Sequence, residues 1–133
     1  MRRKTIINNR KGFILAILFL LPMLLNAQVK TEILFNNLTY NFDTINLDTN
    51  DYSCSFQFMN TSDVPLLITE VTSSCGCTIA TWPQDAIPPG KSGSISVTYH
   101  ASHQGNFVKT ILVKSKARSR FRTILQIKGH VID

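Results

Sequence analysis

Between Tyr52 and Met59 every second residue turns the same way. Cys54, Phe56 and Phe58 fall on one face of an extended chain, and Ser53, Ser55 and Gln57 on the other. A period of two is that of a β-strand with one face in a core and one in water. The alternation returns in Ser94–Tyr99, where Ile95, Val97 and Tyr99 share a side. It returns again in Phe121–Val131. There Phe121, Leu125, Ile127 and Val131 point one way, with Thr123 and Gly129 among them, and Arg122, Gln126 and Lys128 point the other. From Gln28 onward no stretch of ten residues carries clean helical periodicity. A chain patterned this way builds its core from sheets.

Turn chemistry divides the rest. Ile33–Phe35 and Leu38–Phe42 read as short strands separated by Asn36-Asn37, and Asp43–Asp51 as a polar connection at the domain edge. Asn60-Thr61-Ser62-Asp63 is a turn. Pro65 opens the next strand, where a missing N–H is tolerated, and Leu66–Val71 continues it. Thr78–Trp82 is a brief strand, and Pro83-Gln84-Asp85 turns the chain. Ile87–Gly93 is a rigid loop whose prolines fix φ and whose glycines permit positive φ. Asn106–Lys114 is apolar on both faces, as for a central strand. About seven short strands at regular spacing predict an all-β, immunoglobulin-like β-sandwich, with a small barrel as the alternative. Nothing marks an internal repeat or a second folded domain.

The N-terminus has a different composition. Arg2, Arg3, Lys4, Arg10 and Lys11 precede an apolar run over Phe13–Leu25, and Asn26-Ala27-Gln28 follows. This order is that of a secretory signal peptide over residues 1–27, with the domain over 28–133. The apolar run is shorter than the roughly 20 residues of a bilayer span, so no integral span is expected after cleavage; an uncleaved anchor is the other reading. Cleavage removes five of the fourteen basic residues and none of the eight acids, so the net charge falls from +6 to +1. The basic balance therefore belongs to export and gives no reason to expect nucleic acid. An exported protein, periplasmic or secreted, meets oxidising conditions, in which three cysteines allow at most one internal bridge.

A set of motifs spans nearly all of the mature chain. Phe56-x-Phe58-x-Asn60-Thr61 leads to Pro65-Leu66-x-Ile68, then to Ser74-Cys75-Gly76-Cys77-Thr78 and Trp82. Ile87-x-Pro89-Gly90-x-x-Gly93-x-Ile95-x-Val97, Gly105-x-Phe107-x-Lys109-x-Ile111-x-Val113 and Ile127-x-Gly129-x-Val131 follow. Together they resemble the bacterial family known as domain of unknown function 1573, related to the Ig-like domains of hydin type. The resemblance implies an exported seven-stranded Ig-like domain without established enzymatic activity. It leaves the thiol of Cys54 unexplained.

The residues that carry chemistry are few. Cys75 and Cys77 are separated only by Gly76. One reading is structural, with Gly76 serving a turn. A second is an exchange-active dithiol, since a bridge closing so small a ring is readily reduced. A third is a soft-metal site for copper or zinc, the only cofactors the chain suggests. Cys54, on the aromatic face, either bridges to Cys75 or Cys77 across the sandwich or is a small buried hydrophobe, and the second is preferred. His100 and His103 lie in a loop and would complete a metal site only if that loop met the cysteine motif; solvated loop histidines are the expectation, and His130 points outward. Lys114, Lys116, Arg118, Arg120 and Arg122 recur at every second residue. They would form a basic hairpin tip that either contacts an anionic surface or guards an edge. Gly90-Lys91-Ser92 lacks the upstream glycine of a phosphate loop and leads into a strand rather than a helix. No nucleophile–base set or carboxylate pair stands out. The expectation is a non-enzymatic module whose partner is a protein or a cell-envelope component.

Overall fold

The computed structural model describes residues 31–47 and 51–133, and the structural statements below concern those residues. The expected signal peptide lies outside them. Eight strands follow in order: β1 (Ile33–Phe35), β2 (Thr39–Asn46), β3 (Tyr52–Asn60), β4 (Leu67–Ser73), β5 (Thr78–Thr81), β6 (Ser92–Tyr99), β7 (Gly105–Lys116) and β8 (Arg120–Ile132). They form two four-stranded sheets, ordered β1-β3-β6-β5 and β2-β8-β7-β4. The protein is an all-β, immunoglobulin-like sandwich.

Register explains why the alternating residues bury. In the first sheet Phe56 faces Ile95, and Ala80, Val97 and Cys54 form one row across three strands. In the second, Val71 faces Val113 and Ile111 faces Leu125. These rows meet in a core that includes Phe58, Leu66, Ile95, Val97, Ile111, Val113, Leu125 and Ile127. Phe107 stacks on Tyr99 across the sheets, with ring centroids 4.1 Å apart.

Three expectations are corrected. The stretch expected as a polar connection from Asp43 onward is strand as far as Asn46. Asp43 takes a positive φ of 57°, the ladder shifts register there, and Thr44–Asn46 resume parallel pairing with β8. The extra residue of the bulge returns Ile45 to the core, where it faces Val131. Second, β7 is central but not buried on both faces. Val108 is 57% exposed, because the outer face of this sheet is open. Third, only Gly90 of the Ile87–Gly93 loop has positive φ (73°). Gly93 is small for a packing reason: a Cβ there would stand 2.7 Å from Cζ of Phe58.

Asn60 ends β3 fully buried. Its amide donates to the carbonyls of Val64 (2.7 Å) and Ile87 (2.9 Å), and its Oδ1 accepts from the backbone N–H (2.9 Å) and hydroxyl (2.7 Å) of Ser62. The neighbouring backbone also pairs, from Asn60 N–H to Lys91 O and from Gly90 N–H to Asn60 O. One side chain thus ties two loops to the end of a core strand.

Candidate functional site at the Cys-Gly-Cys end of the sandwich

The cysteine motif fills the crossing from β4, an edge of one sheet, to β5, an edge of the other. Cys75 and Cys77 are joined by a disulfide, with Cα atoms 5.4 Å apart. Both are half-buried, whereas Gly76 between them is exposed.

The crossing is tied from both sides. Ser74 N–H donates to Thr110 O on β7 (2.9 Å), and Thr110 N–H donates back to Ser74 Oγ (3.2 Å). The Ser73 hydroxyl lies 2.6 Å from Cys75 O and 3.0 Å from Thr78 O. His100 N–H donates to Cys77 O at 2.8 Å. Cys75 Sγ stands 3.8 Å from Oγ1 of Thr78, a residue only 6% exposed. Gly76 needs neither a left-handed backbone nor close packing: its φ is not positive, and a Cβ built there meets nothing within 4 Å. Gly76 does lie in the turn, but the backbone there does not demand glycine.

The histidine loop does reach this end, but through its main chain. The His100 side chain turns to Asp51, 3.3 Å away, and His103 Nδ1 lies 2.9 Å from the hydroxyl of Ser102. His130 faces outward and meets Asn106 at 2.6 Å. Cys75 and Cys77 are bridged, so binding copper or zinc through their thiolates requires the bridge to be opened. Among the described residues no group of three or more His, Cys, Asp and Glu side chains is placed to hold a metal ion. Cys54 is the free cysteine, buried in the β3 face, and burial pushes its thiol up to about 11.

The basic residues divide. Lys114 faces Arg122 and Lys116 faces Arg120 across the β7–β8 hairpin, on the outer face of the second sheet. Lys114 pairs with Glu70 of β4 at 2.7 Å. Arg118, in the turn, makes two 2.8 Å bonds to Asp63, which hold its guanidinium above the usual arginine range. Buried Glu32 accepts from Ser119 N–H (3.1 Å) and steadies the same turn. Lys116, Arg120 and Arg122 have no carboxylate within ion-pair distance among the described residues. They rise around a groove of about 860 Å³ that Leu67, Thr69 and Phe121 also line.

The model of the family described as "Protein of unknown function (DUF1573)" matches residues 33–131. The chain belongs to the DUF1573 family. A search of curated proteins returns no match. Among solved structures, this DUF1573 domain is similar to the ASH/PapD-like domain 7 of human CEP192, at TM-score 0.68 and 10% identity, over 80% of this chain and 92% of that one. It is similar to the VesB protease of Vibrio cholerae, at TM-score 0.64 and 16% identity, over 75% of this chain but only 32% of VesB. It is also similar to the periplasmic chaperone SfaE, at TM-score 0.55 and 7% identity, over 76% of this chain and 60% of that chaperone. At these identities the likeness is one of fold.

Two residues at this end had no role visible in sequence. Thr78 stood in the motif, but nothing in the spacing aims its hydroxyl at Cys75. Ile79, 66% exposed at the sheet edge, looked like an ordinary strand apolar residue.

Proposed function

We propose that this DUF1573 domain is an exported, non-enzymatic interaction module. It takes an extended segment of a protein partner in the cell envelope along the free edge of β5, beside the Cys-Gly-Cys turn. The observation that carries this reading is the open edge itself. β5 pairs with β6 on one side and, among the described residues, with no strand on the other.

The ladder specifies which groups are available. Cys77 O accepts from His100 N–H, so by antiparallel alternation Ile79 and Thr81 also turn their main-chain groups to β6. Those of Thr78 and Ala80 then point away from the sheet. Thr78 O shares the Ser73 hydroxyl with Cys75 O. Thr78 N–H and both main-chain groups of Ala80 remain for an added strand, with Ile79 as the apolar contact on the outer face. Short edges carry few bonds, so binding by strand addition here is weak and transient in character.

A photo-crosslinking residue in place of Ile79, in cells producing the full chain, tests the reading. A discrete protein adduct from this position and none from Val108 on the opposite sheet is the expected result. Ala80→Pro removes one outward N–H at a place where an edge strand tolerates proline, so it abolishes the adduct without unfolding the domain. Equal labelling from both positions, or an adduct unaffected by Ala80→Pro, overturns the proposal.

The unpaired cations of the β7–β8 hairpin favour a second contact, with an anionic surface such as phospholipid. Lys116, Arg120 and Arg122 supply charge without internal partners, and Lys114 and Arg118 spend theirs on Glu70 and Asp63.

A further inference from the structure

We infer that Cys75–Cys77 is a dithiol-oxidising site in which Thr78 selects the leaving sulfur and Gly76 adds no side chain beside the bond. The substrate class is a peptide or protein dithiol. The inference goes beyond strand binding and does not depend on it.

The bridge is poorly suited to a purely structural task. Disulfides stabilise chiefly by closing long loops in the unfolded chain, and this one closes a ring around a single residue. The local backbone is already held without it. Ser74 is tied to Thr110, the one Ser73 hydroxyl proton is shared between the Cys75 and Thr78 carbonyls, and Cys77 O accepts from His100 N–H. Opening the bond therefore leaves both cysteines in place.

Thr78 distinguishes the two sulfurs. Thr78 is 6% exposed, and the hydrogen-bond partner of its hydroxyl is Cys75 Sγ at 3.8 Å. Buried hydroxyls need a partner, and a disulfide sulfur is a poor acceptor. A thiolate is a strong one, because charge-assisted bonds are about twice as strong as neutral ones. Reduction that leaves the charge on Cys75 improves this contact. The reduced form is thereby stabilised, which makes the disulfide oxidising, and Cys75 becomes the better leaving group. Cys77 carries no such hydroxyl and takes the incoming sulfur. Gly76 fits the same chemistry. It is exposed, its φ does not demand glycine, and a Cβ there would meet nothing beyond its two neighbours. No side chain therefore stands between the two cysteines on the exposed side of the turn.

A substrate thiolate attacks Cys77 Sγ and forms a mixed disulfide. The Cys75–Cys77 bond breaks, and its electron pair goes to Cys75 Sγ beside the Thr78 hydroxyl. The second substrate thiolate attacks the substrate sulfur of the mixed disulfide and releases Cys77 as a thiolate. The substrate leaves oxidised. The domain gains two electrons; Cys77 takes up one of the two protons that the substrate thiols released, the other goes to solvent, and Cys75 stays a thiolate beside the Thr78 hydroxyl. One equivalent is oxidised per bridge, and no further oxidant is required.

The test incubates the full chain, oxidised, with a short synthetic peptide carrying two thiols. Mass spectrometry follows the Cys75–Cys77 fragment and the peptide over time. Stoichiometric transfer of the disulfide to the peptide is expected. Thr78→Val should lower the equilibrium constant for transfer about tenfold, and Thr78→Ser should restore it. Gly76→Val should slow the approach to equilibrium and leave the equilibrium itself unchanged. Absence of transfer overturns the inference, as does a Thr78→Val protein whose equilibrium matches the wild type. A chain that oxidises the peptide but gives no Ile79 adduct in cells retains this activity and loses only the strand-binding reading.

Discussion

Asn60 shows how much one polar side chain contributes to this sandwich. It satisfies two loop carbonyls and accepts two donors while fully buried. Asn60→Ala takes one of two donors from each of the Val64 and Ile87 carbonyls, leaves Ser62 N–H without its acceptor and opens a small void. A loss of about 3 kcal/mol in urea unfolding is expected, with the folded spectrum retained below the transition. Cys54 makes a prediction in pH rather than in denaturant. Its thiol sits at about 11 in the fold, against 9.0 in the open chain. Below pH 9 both states keep the proton, and stability is unaffected. Between 9 and 11 the unfolded chain ionises and the folded one does not, so the unfolded state gains and stability falls as pH rises. The fall is on the order of 2 kcal/mol, and burial of Tyr99, which raises its phenol, adds to it. Cys54→Ala should flatten the part due to the thiol. Unfolding curves at pH 8 and pH 10.5 measure it, and an unchanged difference between them would contradict the assignment.

At the scale of elements, the β7–β8 hairpin and the β5 edge carry the functional readings. If the hairpin meets anionic lipid, replacing Lys116, Arg120 and Arg122 together with glutamine should weaken binding to phosphatidylglycerol vesicles about a hundredfold at low salt. This follows from roughly 1 kcal/mol for each cation near such a surface. The same change at Arg118 alone should act on stability of the turn instead, since Asp63 already holds it. Co-sedimentation at two salt concentrations separates the effects, because the lipid contact is screened by salt. The strands themselves were legible in sequence wherever one face is buried, as in Cys54-Phe56-Phe58. Period two is a local signal. The second half of β2 was not legible, because Ile45 is strand only through pairing with Val131, far along the chain, after the bulge at Asp43. Asn60 read as the start of a turn for the same reason: Ile87 O comes to it only in the fold. At the candidate site the cysteines announced themselves by type and spacing. The Thr78 hydroxyl and the open Ala80 main chain did not, since both depend on which side of a short strand faces β6.

The described domain is a core closed between two sheets, with its disulfide at one end rather than across the middle. Neither cysteine of the bridge joins the two buried faces in the way that Phe107 and Tyr99 do when they stack across the sheets. The unfolded chain is hardly restrained by so short a ring, and the crossing it closes is already held by Ser73, Ser74 and His100. The fold should therefore be nearly indifferent to the state of the bridge. Reduction by dithiothreitol, or the double change Cys75→Ser and Cys77→Ser, should cost less than about 2 kcal/mol and leave the β-sheet circular dichroism unchanged. Asn60→Ala, which adds or removes no covalent bond, should cost more than losing the disulfide. If the order is reversed and the reduced chain unfolds, the bridge is a structural staple. A donor of disulfides needs the opposite property, a scaffold that stays folded in both states, and urea titration of the oxidised, reduced and Asn60→Ala proteins distinguishes the two.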